Sequence, residues 1–187
     1  MTNRDESREP GDAELLELAR SGDTRAVNLL VQRHQAVVYR FLLGFLKDED
    51  QAADAAQETF LKALDRLHGF RGDASFRTWL LAIARNEALG SIRARSRRRE
   101  ESLDHTGPLQ GRTNPPDEVA VRTESVQRVR TALERLPEKQ RLSVSLRLFD
   151  GLSFREIGEV IDSSEGAARV NYHYGIGRLR EWLHDDR

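Results

Sequence analysis

The sequence predicts an all-α protein of two small helical domains joined by a flexible linker, with a helix-turn-helix in the C-terminal domain. Three observations predict it. Apolar residues recur at spacings of three and four almost everywhere, and no period-two run of Val, Ile and aromatics competes with them. Between Glu100 and Pro116 apolar content collapses while Gly107, Pro108, Gly111, Pro115 and Pro116 gather, a composition too polar to bury a core. Near the C-terminus, Ser153-Phe154-Arg155-Glu156 has the spacing of a capping box at the start of a short helix, and Asp162-Ser163-Ser164 connects that helix to a longer one. At 187 residues the chain has room for one large or two small domains. The expected units are a disordered tail over 1–11, a domain over 12–99, a linker over 100–116 and a domain over 117–187.

Each element follows from local signals. A first helix, Ala13 to Arg20, starts after Asp12 and stops at Ser21-Gly22, and Asp23 or Thr24 caps a long second helix with the stripe Leu30, Val37, Phe41 and Phe45. Asp48 and Gln51 open a third helix that runs to about Leu67 and is ended by Gly69. A loop from His68 to Ser75 contains Gly69 and Gly72, and Ser75 is placed to cap a fourth helix from Phe76 to about Arg98. Beyond the linker, helices are expected over Asp117 to Arg135, Glu138 to Phe149, Phe154 to Ile161 and Glu165 to Leu183, with Pro137 starting the second of these and Gly151 following it.

Composition excludes several classes. The chain has no cysteine, which removes disulfides, thiolate catalysis and cysteine-ligated zinc and fits a reducing compartment. No apolar run approaches the roughly 20 residues of a membrane span, so no direct membrane insertion is expected. Neither a Gly-rich phosphate loop ending in Lys-Ser/Thr nor a His-Glu-x-x-His pair is present, and the five histidines are scattered. An enzyme, a bound metal, a cofactor and a small-molecule substrate are therefore not expected. Net charge is −1, yet its distribution is uneven. From Arg71 to Arg99 there are eight arginines against two acids, whereas the first twenty residues hold six acids against three arginines. Such asymmetry suits one face for phosphates and another for a protein partner.

In the C-terminal pair, the helix from Phe154 is too short to stand alone and must pack on something. Ser164 can cap the longer helix, on which Ala168, Tyr172, Ile176, Leu179 and Leu183 form one stripe. That leaves Glu165, Arg169, Asn171, His173 and Tyr174 partly or wholly outside it. Arg and Asn near the start of such a helix are the side chains that bond bidentately to base edges in the major groove. A helical hairpin that merely completes a bundle is the alternative on pattern alone.

Four stretches taken together resemble the extracytoplasmic-function (group IV) sigma factors of the sigma-70 family. They are Ala53-Asp54-Ala55-Ala56-Gln57-Glu58-Thr59-Phe60-Leu61-Lys62-Ala63; Phe70 to Leu80 continuing through Ile83-Ala84-Arg85-Asn86; Leu136-Pro137-Glu138-Lys139-Gln140-Arg141; and Gly151 to Gly158. The resemblance spans about residues 13 to 184, interrupted at the linker. It implies a promoter-specificity subunit that binds core RNA polymerase, reads minus-10 and minus-35 elements and helps open the DNA. Asp54, Gln57, Glu58 and Lys62 would meet the clamp coiled coil of the largest subunit, and the C-terminal domain the flap region. Phe70, Arg71, Phe76, Arg77, Arg85 and Asn86 would hold unpaired minus-10 bases by stacking and charge, with Arg93 and Arg95 on phosphates. Trp79 falls with Phe76, Leu80 and Ile83 on a core-like stripe. Arg155, Arg169, Val170, Asn171 and Tyr174 would serve the minus-35 element.

The resemblance also implies an anti-sigma factor as a partner and a cytoplasmic location at the nucleoid, or at the inner membrane through that partner. The sequence departs from the family pattern at Asn171 and Tyr174, where many members are basic, and at Gly175 and Gly177, which either permit close packing or a bend at a cost of about 1 kcal/mol each. Two rivals remain, an autonomous helix-turn-helix regulator on a palindromic site and a helical adaptor that binds only protein.

Overall fold

The computed structural model describes residues 10–101 and 120–185, so most of the expected tail and of the expected linker lies outside the described residues. Among the described residues there are eight α-helices, one 3-10 turn and no strand. In order they are α1 (Asp12–Arg20), α2 (Thr24–Leu46), α3 (Glu49–Asp65), the 3-10 turn Leu67–Gly69, α4 (Phe76–Glu101), α5 (Ala120–Glu134), α6 (Glu138–Leu148), α7 (Phe154–Val160) and α8 (Glu165–Asp185).

Helix starts follow the caps. The Asp23 carboxylate accepts from the Arg25 and Ala26 amides, and Asp48 accepts from the Gln51 amide at 2.9 Å. Ser75 Oγ accepts from the Thr78 amide, Ser164 Oγ from the Ala167 amide, and Ser153 with Glu156 completes the reciprocal capping box. Each such cap satisfies an amide that the helix itself leaves without a partner, typically worth about 1 kcal/mol.

Helix α2 is the axis of the N-terminal half: Leu30, Val37, Val38, Phe41, Leu42 and Phe45 are buried. Helix α3 meets it with small side chains, Ala52, Ala55, Thr59 and Ala63, which bring the two backbones close. The buried Thr59 hydroxyl donates to the Ala55 carbonyl at 2.7 Å, so it costs little there. Leu80, Leu81, Ile83, Ala84 and Ala88 of α4 close the core.

In the C-terminal half α8 lies along α6. Gly175 is what allows it: a Cβ there would meet Val144 Cγ2 at 2.7 Å and the Gln140 carbonyl oxygen at 3.4 Å. Gly177 has nothing within 4 Å, so close packing explains the first glycine and not the second. Gly158 plays the same part in the helix-turn-helix, where a Cβ would come within 2.7 Å of the Ser163 carbonyl oxygen.

The apolar face of the short α7 is buried against both halves of the chain. Leu142, Leu146, Leu152, Ile157, Val160, Ile161 and Ala168 belong to the same buried cluster as the core of α1 to α4. A smaller cluster of Ala132, Leu136, Val144 and Leu179 stays within the C-terminal half. Seven residues of helix cannot stand alone, and the expected packing partner is found in α4 and α8.

Candidate nucleic-acid interface

Three surfaces carry the residues singled out in the sequence. On α3, Asp54, Gln57 and Glu58 are all exposed, on the face opposite the small residues that pack on α2. Leu61 shares that face, at i+3 from Glu58 and i+4 from Gln57, and is 57% exposed. Sequence reading missed it. The signal was present, because Leu61 is out of phase with Phe60, Leu64 and Leu67. Lys62 is not presented with the three: its Nζ pairs with Glu87 Oε2 of α4 at 2.6 Å, an ion pair that ties α3 to α4.

The second surface is the loop after α3 and the N-terminal part of α4. Arg20 of α1, which no motif signals, donates from Nε to the Leu67 carbonyl at 3.3 Å and from Nη2 to the Phe70 carbonyl. It thereby fixes the backbone on both sides of Gly69. Gly72 has φ +81°, a conformation that side chains rarely adopt; Gly69 is not in that region. Phe70 packs 5.0 Å from Trp79 and 5.8 Å from Phe76, ring centre to ring centre.

Phe70 and Trp79 are partly buried, so each keeps ring surface for solvent or a stacked base. Phe76 does not. It is 7% exposed, between the ring of His34 and those of Phe70 and Trp79, and props the pair instead of offering a face. Its stripe with Trp79, Leu80 and Ile83 signals the inward orientation, which the resemblance-based role on DNA does not take into account. Burial pushes the His34 imidazole below its ordinary pKa, against the pull of Asp12, whose Oδ2 lies 2.8 Å from Nε2.

Arg71, Asn86, Arg93 and Arg95 are exposed and Arg77 is half-buried. Arg85 points toward the helix-turn-helix, with Nη2 3.9 Å from Asp162 Oδ2. The expected run of arginines to Arg99 continues on α4 through Arg97, beyond which side chains lie outside the described residues.

The third surface is α7 with α8. Arg155 pairs with Glu159 and Arg169 with Glu165, both one helical turn apart and both exposed. Such pairs contribute only about 0.3–0.5 kcal/mol and yield readily to a phosphate. The Arg169 guanidinium also sits 5.1 Å over the Phe154 ring. Val170 and Tyr174 are 53% and 65% exposed, and His173 between them is exposed too. Asn171 is turned differently from expectation. It is half-buried and its Nδ2 donates to the Ala167 carbonyl at 2.9 Å, because the same helix offers a carbonyl four residues back. The outward face of this helix is thus Arg169, Val170, His173 and Tyr174, with less positive charge than the preceding surface.

Glu156 joins the second and third surfaces. Burial raises its pKa, but bonds from the Ser153 amide and hydroxyl, Thr78 and Ser75 outweigh it and hold the carboxyl below its ordinary value. Among the described residues no group of three or more His, Asp or Glu is placed to hold a metal, and no helix is long and apolar enough to cross a membrane.

Comparison with known proteins bears on all three surfaces. Residues 30–98 match the model of sigma-70 region 2 and residues 126–179 that of sigma-70 region 4. The chain is 36% identical over 178 residues to the RNA polymerase sigma-H factor of Pseudomonas aeruginosa, covering 91% of this chain and 90% of that one. It is 36% identical over 179 residues to the ECF RNA polymerase sigma-E factor of Escherichia coli K12, covering 91% of each. Among solved structures it resembles CnrH in complex with the cytosolic domain of CnrY, with a TM-score of 0.69, 26% identity and 94% and 99% of the two chains covered. The fold is also that of the sigma factor RpoE in its complex with the anti-sigma factor NepR from Bartonella quintana, with a TM-score of 0.67 and 22% identity over 86% and 98% of the chains. The two matched regions occupy the two helical domains in their order along the chain, and the chain belongs to the sigma-70 family as an RNA polymerase sigma factor of the extracytoplasmic-function group.

Proposed function

We propose that this sigma factor docks on core RNA polymerase through the exposed α3 face of Asp54, Gln57, Glu58 and Leu61. From there it reads the minus-10 element with the Phe70 to Asn86 surface and the minus-35 element with the outward face of α8. The observation that carries the reading is the α3 face. Asp54, Gln57, Glu58 and Leu61 stand at i, i+3, i+4 and i+7, so one exposed helix face offers polar groups and an apolar side chain together to a partner.

Support for the minus-10 role comes from Phe70 and Trp79, half-buried rings 5.0 Å apart, with Arg71 and Arg77 nearby in sequence, a combination suited to unstacked bases. Arg93 and Arg95 supply sequence-independent phosphate contacts. On α8, Arg169 suits a base edge or phosphate, and Val170 with Tyr174 suits thymine methyl groups and sugars. Arg155 is exposed on α7, where its charge suits a backbone phosphate. An anti-sigma factor is the expected further partner, as in the solved complexes of similar chains, and the protein works in the cytoplasm where the polymerase is.

The test is binding of the full chain to core polymerase. Gln57→Ala with Glu58→Ala should weaken it at least about tenfold, the effect of losing roughly 1.4 kcal/mol, with helicity unchanged. Wild-type affinity in this double variant would sink the docking assignment.

A further inference from the structure

Helix α1 carries none of the motifs and lies outside residues 30–98, which match sigma-70 region 2, yet both of its ends reach the aromatic group at the start of α4. At its C-terminal end all three guanidinium nitrogens of Arg20 are engaged. Nε donates to the Leu67 carbonyl at 3.3 Å, Nη2 to the Phe70 carbonyl, and Nη1 pairs with Glu17 Oε1 at 2.6 Å. At its N-terminal end Asp12 Oδ2 lies 2.8 Å from His34 Nε2, and the His34 ring meets that of Phe76 edge-on, 5.3 Å between centres. Leu15, Leu16 and Ala19, between these ends, are buried, so α1 is itself fixed to the core.

What the Arg20 fork does follows from the turn it grips. The turn holds itself only by short-range bonds, from the Gly69 amide to the Arg66 carbonyl at 2.9 Å and from the Phe70 amide to the Leu67 carbonyl at 3.2 Å. Past Phe70 the chain passes through Gly72, at φ +81°, before Ser75 caps α4. Glycine there leaves the backbone more states than any other residue would. Arg20 adds two bonds from a residue 47 and 50 positions away, and a planar guanidinium with donors at fixed angles holds two carbonyls in one relation to each other. The ring between those bonds and α4 is Phe70, 5.0 Å from Trp79. A stacking surface binds in proportion to the fraction of molecules that present it.

We propose that Arg20 is a positioning residue of the minus-10 reader. Its fork sets the backbone on both sides of Gly69 so that the Phe70 ring stands against Trp79 for an unpaired base, and α1 thereby takes part in promoter opening without itself meeting DNA. The assignment rests on the minus-10 reading given above and adds to it a helix that no motif marks.

The test is a double-mutant cycle on the full chain assembled with core polymerase, using Arg20→Ala, Phe70→Ala and the two together. Two probes are read: a promoter fragment selected from a library, with its minus-10 non-template strand left unpaired, and a duplex fragment carrying only the minus-35 element of that promoter. Arg20→Ala should weaken binding of the first at least about tenfold and of the second less than about twofold. In the Phe70→Ala background it should cost less than about twofold on the unpaired probe, because its effect runs through that ring. Wild-type affinity of Arg20→Ala for the unpaired probe, fully additive losses, or equal weakening on both probes would each overturn the proposal. If Phe70→Ala binds the unpaired probe as the wild type does, the minus-10 reading itself falls and the role of Arg20 with it. Should Arg20→Ala not assemble with polymerase, Arg20→Lys takes its place in the cycle. It keeps the charge and the aliphatic stem but lacks the fork, so the same pattern of losses is expected.

Discussion

At the residue scale the informative positions are those where chemistry and packing disagree. Leu61 is a large apolar side chain exposed beside Asp54, Gln57 and Glu58, on the face proposed to meet the polymerase. Leu61→Asp should change thermal stability by less than about 0.5 kcal/mol, as surface substitutions do, while weakening association with core polymerase. An unchanged affinity would remove Leu61 from the contact.

The two glycines of α8 make a sharper pair. Gly175→Ala pushes a methyl group to 2.7 Å from Val144, so an overpacking cost of about 1–3 kcal/mol outweighs the gain of about 1 kcal/mol in helix propensity. Gly177→Ala meets open space and keeps the whole gain. The melting temperature should fall for the first and rise for the second. The sequence shows both glycines as equally odd; only the position of α6 separates them.

At the element scale the caps dominate. Ser153, Glu156, Asp23, Asp48, Ser75 and Ser164 were all legible in the sequence, because a capping signal is local and needs only the residues within one turn. Helix ends differ from expectation by a few residues, most at α4, which continues through Glu101 where the charge pattern suggested a stop near Arg98. What the sequence could not show is which face of an element meets another. Asn171 fits a DNA-facing role by type and position, yet it bonds its own helix; Phe76, given such a role by resemblance, is in the core, as its stripe with Trp79, Leu80 and Ile83 signals. The Arg20 anchor joins residues about fifty positions apart and leaves no periodic trace.

Glu156 gives the element scale a pH test. Its carboxyl is held below the ordinary value in the folded chain, so its contribution to stability is fully present above about pH 4.5. That contribution is lost as pH falls through the lowered folded value. Denaturant midpoints should therefore drop more steeply on acidification below that point in the wild type than in Glu156→Gln. Equal slopes would mean that the carboxylate charge contributes nothing to its bonds with Ser153, Ser75 and Thr78.

At the scale of the whole molecule, two halves with different surfaces share one buried cluster. The family, the helical class and the order of the two regions were all legible in four short motifs, because each motif lies within a single helix or a helix with its loop. The packing of the two halves on each other was not, since it depends on residues from α2, α4, α6 and α7 that have no common spacing. Function as a sigma factor requires that the chain confer on core polymerase a choice of start site. The most direct measurement is transcription in vitro with purified core polymerase, the full chain and a promoter library. The account predicts discrete start sites that appear only when chain and polymerase are both present and that share two sequence elements at a fixed spacing. Start sites independent of the chain, or binding to a palindromic site without polymerase, would contradict it.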